Sequence, residues 1–323
     1  MKLANAAKVS FLCSVRHLIP YLPLGATTLL AKAATVACRR SEQVGVIKVQ
    51  LKKLFGDAKS NAELEQIAIE SICNNRKDLF EIWSFPRLSE KRITKFAYIE
   101  GREHLDNALK KGKGALIAVS HFGSWKMVIA ALGYAKYKVN QIGIDPRGFI
   151  DENRPNHHNV IMQIEHRCDQ SLPVNFIYIG KFLREAYRAL ARNEVVINSM
   201  DGFLGTKCVE VPFLKGVNRL SLGPLVMAAR SWAAFLPTFA VRQADNRYKI
   251  TIHEEIKVDK DIPEEEAVKK ALDDYLKIFE DYVSRYPSHY CRTLYDRAVD
   301  SHRIATVKAQ ESIGSSGYSI KSL

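Results

Sequence analysis

The feature that most constrains the fold is a short apolar run that leads into a helical pattern. Ala115–Val119 is apolar throughout, follows a glycine-rich segment and ends just before Ser120 and His121. From Ser124 onwards, apolar residues recur at helical spacing. An apolar run followed by a helical period is typical of a buried parallel strand that feeds a helix. His121 is therefore predicted at the carboxyl end of a strand, where open α/β sheets bind their ligands.

Strand-like and helix-like segments alternate through most of the chain. This alternation predicts an α/β fold with a mostly parallel central sheet flanked by helices. Strands are expected at 115–119, 139–143, 175–180, 195–200, 235–241 and 248–253. Helices are expected at 43–55, 61–82, 102–111, 124–134, 159–167, 181–191, 222–232 and 263–286. The short turn between the last two strands indicates an antiparallel hairpin at one edge of the sheet.

The first part of the chain is both basic and apolar. Residues 1–60 hold ten basic and two acidic side chains, and the whole chain carries a net charge of +13. An apolar run at 18–38 has about the ~20 residues that a bilayer span requires, but two prolines, a glycine and a lysine interrupt it. We therefore expect an N-terminal helical membrane-associated segment at 1–40 that lies in the membrane plane. The alternative is an amphipathic helix that packs on the domain.

The remaining sequence predicts one domain and excludes several kinds of site. No repeat or linker divides residues 41–300, and the polar residues 301–323 are expected to form a mobile tail. The six cysteines form no CxxC pair, which argues against a zinc site and a disulfide framework. Zinc-finger spacing, RNA-binding aromatic motifs and phosphate loops do not accompany the basic residues, so nucleic acid is not the expected partner.

His121 is the best candidate for acid–base chemistry. An imidazole titrates near neutral pH, so a histidine at a strand end is suited to act as a general base. A lone histidine more often only satisfies backbone groups, but its neighbours favour a catalytic role here. Gly123 permits close approach of the backbone, and the N-terminus of the next helix offers N–H groups to an oxyanion.

Blocks of sequence in order along residues 10–298 resemble one known family. They are Ser120–Trp125 with the strand before it, Arg154–Asn159, Asp201–Gly205 with Val209–Leu214, and Tyr286–Tyr290. The ordered set resembles the lipid A biosynthesis lauroyl/myristoyl acyltransferases, within the lysophospholipid acyltransferase superfamily. In that family the histidine is followed, after four residues, by Glu or Asp. In this chain the corresponding position is Lys126.

The resemblance implies a glycerolipid acyltransferase-like fold and transfer of a fatty acyl chain to a lipid or glycolipid acceptor of the lipid A type. The implied donor is a thioester of acyl carrier protein or of coenzyme A. That thioester is a cosubstrate, so no bound cofactor and no metal are expected. The resemblance also implies action at the cytoplasmic face of a bacterial inner membrane. A basic surface would attract both an acidic carrier protein and anionic lipid headgroups.

Within this scheme each candidate residue has an expected role. His121 is the general base, and Asp201, at the end of a buried strand, orients a helix or positions substrate. Arg154 is the candidate for clamping a phosphate or carboxylate, because a guanidinium binds such groups through two hydrogen bonds. Ser124 and Arg242 are further substrate-binding candidates.

Lys126 leaves the acidic partner of His121 open. An ammonium near the imidazole would lower its pKa, which is the opposite of what a carboxylate does. Three outcomes fit the sequence. Another carboxylate takes the role, with Asp201, Asp151, Glu152 and Glu165 as the candidates. Alternatively, His121 works unassisted, or the protein has lost catalysis and binds acyl chains or acyl carrier protein at the membrane. We prefer the first two outcomes over the third.

Overall fold

The centre of the molecule is a seven-stranded sheet. The computed structural model describes residues 14–36, 41–143, 156–179, 183–202 and 208–299. The strands of the sheet are β1 (Ala97–Glu100), β2 (Ala115–Val119), β3 (Val139–Gly143), β4 (Asn175–Tyr178), β5 (Val195–Ser199), β8 (Ala234–Arg242) and β9 (Tyr248–Ile252). A separate antiparallel ribbon consists of β6 (Cys208–Phe213) and β7 (Gly216–Ser221).

The strand order is β1-β9-β8-β2-β5-β3-β4. Every neighbouring pair is parallel except β8 and β9, which are antiparallel. The α/β prediction with a mostly parallel sheet is therefore confirmed. Because β2, β5, β3, β4 and β8 run in one direction, their carboxyl ends meet at the same edge of the sheet.

Helices cover both faces of this sheet. They are α1 (Leu24–Val36), α2 (Glu42–Phe55), α3 (Asn61–Trp83), α4 (Glu90–Ile93), α5 (Arg102–Lys110), α6 (Trp125–Tyr134), α7 (Asn156–Asp169), α8 (Leu183–Ala191), α9 (Gly223–Ser231) and α10 (Glu264–Arg285). A 3-10 turn at Pro287–His289 follows α10, and residues 291–299 are helical. Two hydrophobic cores result, one on each face of the sheet.

Strand β2 shows why the sheet is covered on both sides. All five of its residues are buried. Leu116 and Ala118 belong to one core, whereas Ala115, Ile117 and Val119 belong to the other. A strand that buries both faces is typically a nearly continuous apolar run, which is how the sequence 115–119 differs from the alternating pattern of a half-exposed strand.

Local signals fix the ends of the two long helices. Ser60 caps α3: its hydroxyl accepts from the backbone N–H of Glu63, whose carboxylate accepts from the backbone N–H of Ser60. This capping box satisfies two donors that the first helical turn would leave unpaired. In α10, Pro263 precedes a first turn of three glutamates, which complement the positive end of the helix dipole.

The structure corrects three expectations about the strands. The segment before α5 contains β1, which pairs in parallel with β9, so the β8–β9 hairpin does not form the edge of the sheet. Strand β1 was missed because it has only four residues and its exposure increases towards Glu100. The β6–β7 ribbon was also missed, because most of its residues are polar or half-exposed and only the Val-Pro-Phe segment is apolar.

The N-terminal prediction is only partly within the described residues. In the described part of 1–40, residues 14–18 are helical, a 3-10 turn follows at Ile19–Tyr21, and helix α1 packs against α3. Nowhere in the described ranges does a helix combine the length and apolar character needed to cross a bilayer. The tail predicted at 301–323 lies outside the described residues.

Candidate functional site

His121 lies at the carboxyl end of β2, two residues beyond Val119, in the loop that leads to α6. Its side chain is 35% exposed. The edge of the Trp125 ring packs near the imidazole, with the ring centroids 5.2 Å apart. The imidazole is thus held on one side and open to a second molecule on another.

Asp201 lies beside His121 because their strands are neighbours. Strands β2 and β5 are parallel, with Val119 paired to Ser199, so the residues two positions further on emerge at the same edge of the sheet. The Asp201 carboxylate accepts a hydrogen bond from the His121 backbone N–H, at 2.9 Å and 3.0 Å to its two oxygens. Oδ1 of Asp201 also lies 2.8 Å from Nδ1 of the imidazole.

The charge state of Asp201 defines the tautomer of His121. The carboxylate is completely buried. Burial alone would raise the pKa of Asp201, but the charge and hydrogen bonds of His121, with the charge of Arg297, hold it below the ordinary value. An ionised carboxylate accepts hydrogen bonds only, so Nδ1 carries the proton. The lone pair of neutral His121 is therefore on Nε2, where a general base would use it.

The backbone of this loop is held by residues from the C-terminal part of the chain. Gly123 has a φ of +58°, and a Cβ at this position would lie 1.9 Å from the carbonyl oxygen of Ala240. Its N–H donates to the carbonyl of His289 at 2.9 Å. The Thr293 hydroxyl donates to the carbonyl of His121 at 2.8 Å. The close approach that Gly123 permits is thus to strand β8, and its N–H is not available to an oxyanion.

Two of the predicted substrate-binding residues are enclosed. Ser124 is completely buried, so its hydroxyl is not presented to a substrate. The Arg242 side chain is 4% exposed and forms two hydrogen bonds with Glu81, at 2.6 Å and 2.8 Å. Its guanidinium also donates to the Asn246 carbonyl at 3.0 Å and to the Tyr248 hydroxyl at 2.5 Å. The expectation that Arg242 clamps a substrate phosphate is therefore corrected: its planar fork is occupied by Glu81.

Lys126 lies within a different group of charges. Its ammonium donates to Glu165 at 3.1 Å and to Asp169 at 2.9 Å, both on α7, and its side chain is 13% exposed. Burial would lower the pKa of Lys126, but the charges of the two carboxylates raise it above the ordinary value. Burial raises the pKa of Asp169, and the neighbouring charge of Glu165 raises it further. Lys126 opposes both effects, but its one ammonium is shared by the two carboxylates.

The remaining candidates lie elsewhere or outside the described residues. Arg154, Asp151 and Glu152 fall outside them, and α7 begins at Asn156. Glu165 contacts Lys126. In the part of the chain that is described, no group of three or more His, Cys, Asp or Glu side chains could hold a metal ion.

Several supporting residues were not identified from the sequence. Arg297 donates to the backbone carbonyl of Asp201 at 3.0 Å. The hydroxyls of Ser120 and Tyr275 lie 2.8 Å apart. The ring of His289 stacks on Phe122 with the centroids 5.5 Å apart. The Ser120–Trp125 and Tyr286–Tyr290 blocks contain Ser120 and His289, but a resemblance marks a segment without giving its contacts.

Comparison with known protein families indicates what the chain is related to. Residues 6–293 match the family model of the bacterial lipid A biosynthesis acyltransferases. The matched span includes His121, Asp201 and Thr293. A comparison with curated proteins finds no match. Since the family match covers far more than half of the 323 residues, the chain belongs to the bacterial lipid A biosynthesis acyltransferase family.

Proposed function

We propose that the protein transfers a fatty acyl chain from a thioester of acyl carrier protein or coenzyme A to a hydroxyl of a lipid A-type acceptor, with His121 as general base. Family membership supports acyl transfer to a lipid acceptor. The observation that carries the role of His121 is its 2.8 Å contact with a buried carboxylate while its ring stays 35% exposed.

The chemistry requires one proton acceptor and balances without a cofactor. Nε2 of His121 takes the proton of the acceptor hydroxyl as its oxygen attacks the thioester carbonyl carbon. The tetrahedral intermediate then collapses, the carbon–sulfur bond breaks and the new ester forms. The leaving thiolate takes the proton back from the imidazolium, so His121 returns to its neutral form.

Asp201 supplies what the acid at position 126 supplies in the family pattern. A buried carboxylate on Nδ1 orients the ring and stabilises the imidazolium that forms during the reaction. The alternative of a catalytically impaired binding protein rested on the missing acid at position 126. That alternative is not supported, since the carboxylate of Asp201, two residues beyond β5, contacts the imidazole.

The place of action that we propose is the cytoplasmic face of a bacterial inner membrane. On helix α1 the apolar residues Leu29, Leu30 and Val36 are exposed. Residues 1–60 also carry a surplus of eight positive charges. Apolar side chains beside basic ones are characteristic of segments that lie on an anionic membrane surface.

The direct test is turnover by the purified protein. Wild-type protein is expected to form acylated product from acyl carrier protein thioester and a bacterial lipid extract. His121→Ala should lower turnover by roughly 10²–10⁴-fold, the usual contribution of a general base. His104→Ala is a matched control, because His104 lies on α5 and takes no part in the contacts of His121. Equal turnover by His121→Ala and wild type would remove the base assignment.

A further inference from the structure

A polar cavity lies between helix α3 and the turn that joins β8 to β9. It does not include the His121–Asp201 contact. It has a volume of about 350 Å³. Its lining includes Lys32 of α1, Glu70 and Lys77 of α3, Arg242 and Asn246 beside the turn, and His289. We call it the Lys77 cavity.

The Lys77 cavity encloses more positive than negative charge. Lys77 is only 9% exposed, yet its ammonium donates to an uncharged acceptor, the Asn246 side-chain oxygen at 3.1 Å. Among the described residues, no carboxylate lies within ion-pair distance of it. Arg242 is already paired with Glu81. Among the described residues that line the cavity, the exposed Glu70 is the only acidic one.

The direction of the pKa shift of Lys77 is consistent with these contacts. Burial lowers the pKa of Lys77, and the charges of Arg242 and Lys32 lower it further, although Cys73 and Glu81 oppose this. An ammonium has three N–H donors. An anion that entered the cavity would accept hydrogen bonds from Lys77 and reduce the repulsion among the three cations.

The surroundings of the cavity indicate the source of such an anion. Lys32 lies on the same stripe of α1 as Leu29 and Val36, which are three and four residues away. Leu29 is 68% exposed and Val36 is 61% exposed. A cationic cavity bordered by exposed apolar side chains fits a molecule that has an anionic head and an apolar body.

We propose that the Lys77 cavity binds the phosphate group of an anionic lipid, with Lys77 and Lys32 contacting the phosphate oxygens and α1 contacting the lipid tails. This site is separate from the proposed acyl-transfer chemistry and requires no contact with His121. The two are nevertheless neighbours, because His289 lines the cavity and its carbonyl holds Gly123 in the catalytic loop.

Vesicle binding by the full chain tests the proposal. Wild-type protein is expected to bind vesicles of phosphatidylcholine with phosphatidylglycerol more tightly than vesicles of phosphatidylcholine alone. Lys77→Met should weaken binding to the anionic vesicles by about tenfold or more, as expected for loss of a charge-assisted contact. Lys32→Gln should weaken it about fivefold, which corresponds to about 1 kcal/mol for one basic residue at an anionic surface. Lys32 is exposed, so its variant tests the site even if Lys77→Met unfolds.

The control is Lys269→Met, which removes an exposed charge on α10 outside the cavity. Equal weakening by Lys269→Met and Lys32→Gln would show a non-specific charge effect and overturn the proposal. A thermal shift titration with inorganic phosphate, at constant ionic strength, separates the two phosphate sources. Stabilisation by phosphate that Lys77→Met abolishes, with unchanged vesicle binding, would show a site for soluble phosphate and overturn the lipid assignment.

The same measurements distinguish this site from the proposed enzyme activity. His121→Ala should bind anionic vesicles as tightly as wild type, because His121 does not line the cavity. Loss of turnover with retained vesicle binding is therefore the expected phenotype of the catalytic variant. Lost vesicle binding in folded His121→Ala would contradict the separation of the two sites.

Discussion

Residues 121 and 126 are five positions apart, and each contacts carboxylates from another part of the fold. His121 contacts a single buried aspartate and keeps a ring that is 35% exposed. Lys126 lies between two carboxylates of α7 and is 13% exposed. The comparison shows that the His121–Asp201 contact leaves an accessible imidazole, whereas Lys126 and its two carboxylate partners are largely enclosed. The contacts of Lys126 join α6 to α7.

The largest effect on the first region is expected from Asp201→Asn. An amide has nearly the same shape, but it can donate to Nδ1 and so favour the tautomer that carries its proton on Nε2. We expect turnover to fall roughly 10²–10⁴-fold, because Nε2 could then no longer act as a base. The measurement is acyl transfer from acyl carrier protein thioester.

The control for that experiment is Asp273→Asn, which neutralises an exposed carboxylate on α10. Thermal unfolding of both variants reports whether each one folds. Wild-type turnover in folded Asp201→Asn would show that the tautomer of His121 does not affect the reaction. The proposed chemical difference between the His121 and Lys126 regions would then be wrong.

The second region is tested by restoring the acid of the family pattern. Lys126→Glu would bring three carboxylates together in a half-buried site. Breaking a buried ion pair costs about 3–5 kcal/mol, so we expect the free energy of unfolding to fall by about that amount. We expect no gain in turnover, because the acid contact of His121 is already made by Asp201. Denaturant unfolding and the acyl-transfer assay measure the two quantities.

A compensated variant separates loss of charge from loss of packing. Lys126→Met alone removes the ammonium that Glu165 and Asp169 share, whereas the triple change with Glu165→Gln and Asp169→Asn removes all three charges. The triple variant should be more stable than Lys126→Met. If Lys126→Glu instead gains activity, then position 126 reaches His121 after all, and the assignment of Asp201 is wrong.

A second histidine, His289, gives a prediction about how the stability of the protein depends on pH. Its pKa is lowered to about 4 by burial, and then by the charges of Arg242 and Lys77. The unfolded chain therefore binds more protons than the folded one between about pH 4 and pH 6.5. Within that interval His289 makes stability rise with pH, by at most about 3 kcal/mol because part of the ring still meets solvent.

Asp78 titrates in the same pH interval as His289. The contribution of His289 to stability therefore has to be measured as a difference between wild type and a variant. The pKa of Asp78 is raised to about 6 by burial and by Glu81, so its contribution has the opposite sign in the same interval. Urea unfolding of wild type and His289→Gln at several pH values isolates the histidine. The stability advantage of wild type should shrink as the pH falls from 6.5 towards 4. An advantage that is independent of pH would show that His289 is not enclosed as described.

The comparison also shows how far the sequence could lead. The position of His121 at a strand end was predictable, because five consecutive apolar residues and a helical period are local signals. The contact with Asp201 required the pairing of β2 with β5, and the sequence offered Asp201 only as one of several carboxylates. Parallel neighbours are set by the whole sheet, so no local pattern could select among them.

The contacts of Arg242 and Lys126 could not be predicted from the sequence, for a related physical reason. Arg242 comes directly after the predicted strand 235–241, and on the sequence alone it was a further candidate for binding substrate. Its partner, Glu81, lies 161 residues away on α3. The sequence gave the effect that Lys126 would have if it lay near His121, but the carboxylates that Lys126 contacts are 39 and 43 residues further on, in α7. Burial with a distant partner decides such cases.

The loop that contains His121 and Gly123 is anchored by His289 and Thr293, and this has a consequence for biosynthesis. The loop is translated early, but the groups that hold the backbone of Gly123 and His121 come from the final part of the domain. During synthesis, β2 and β5 can therefore pair before the groups that hold this loop have been made. A polypeptide that stops before residue 289 would lack both backbone contacts, so the loop around His121 would not be held as it is in the folded domain.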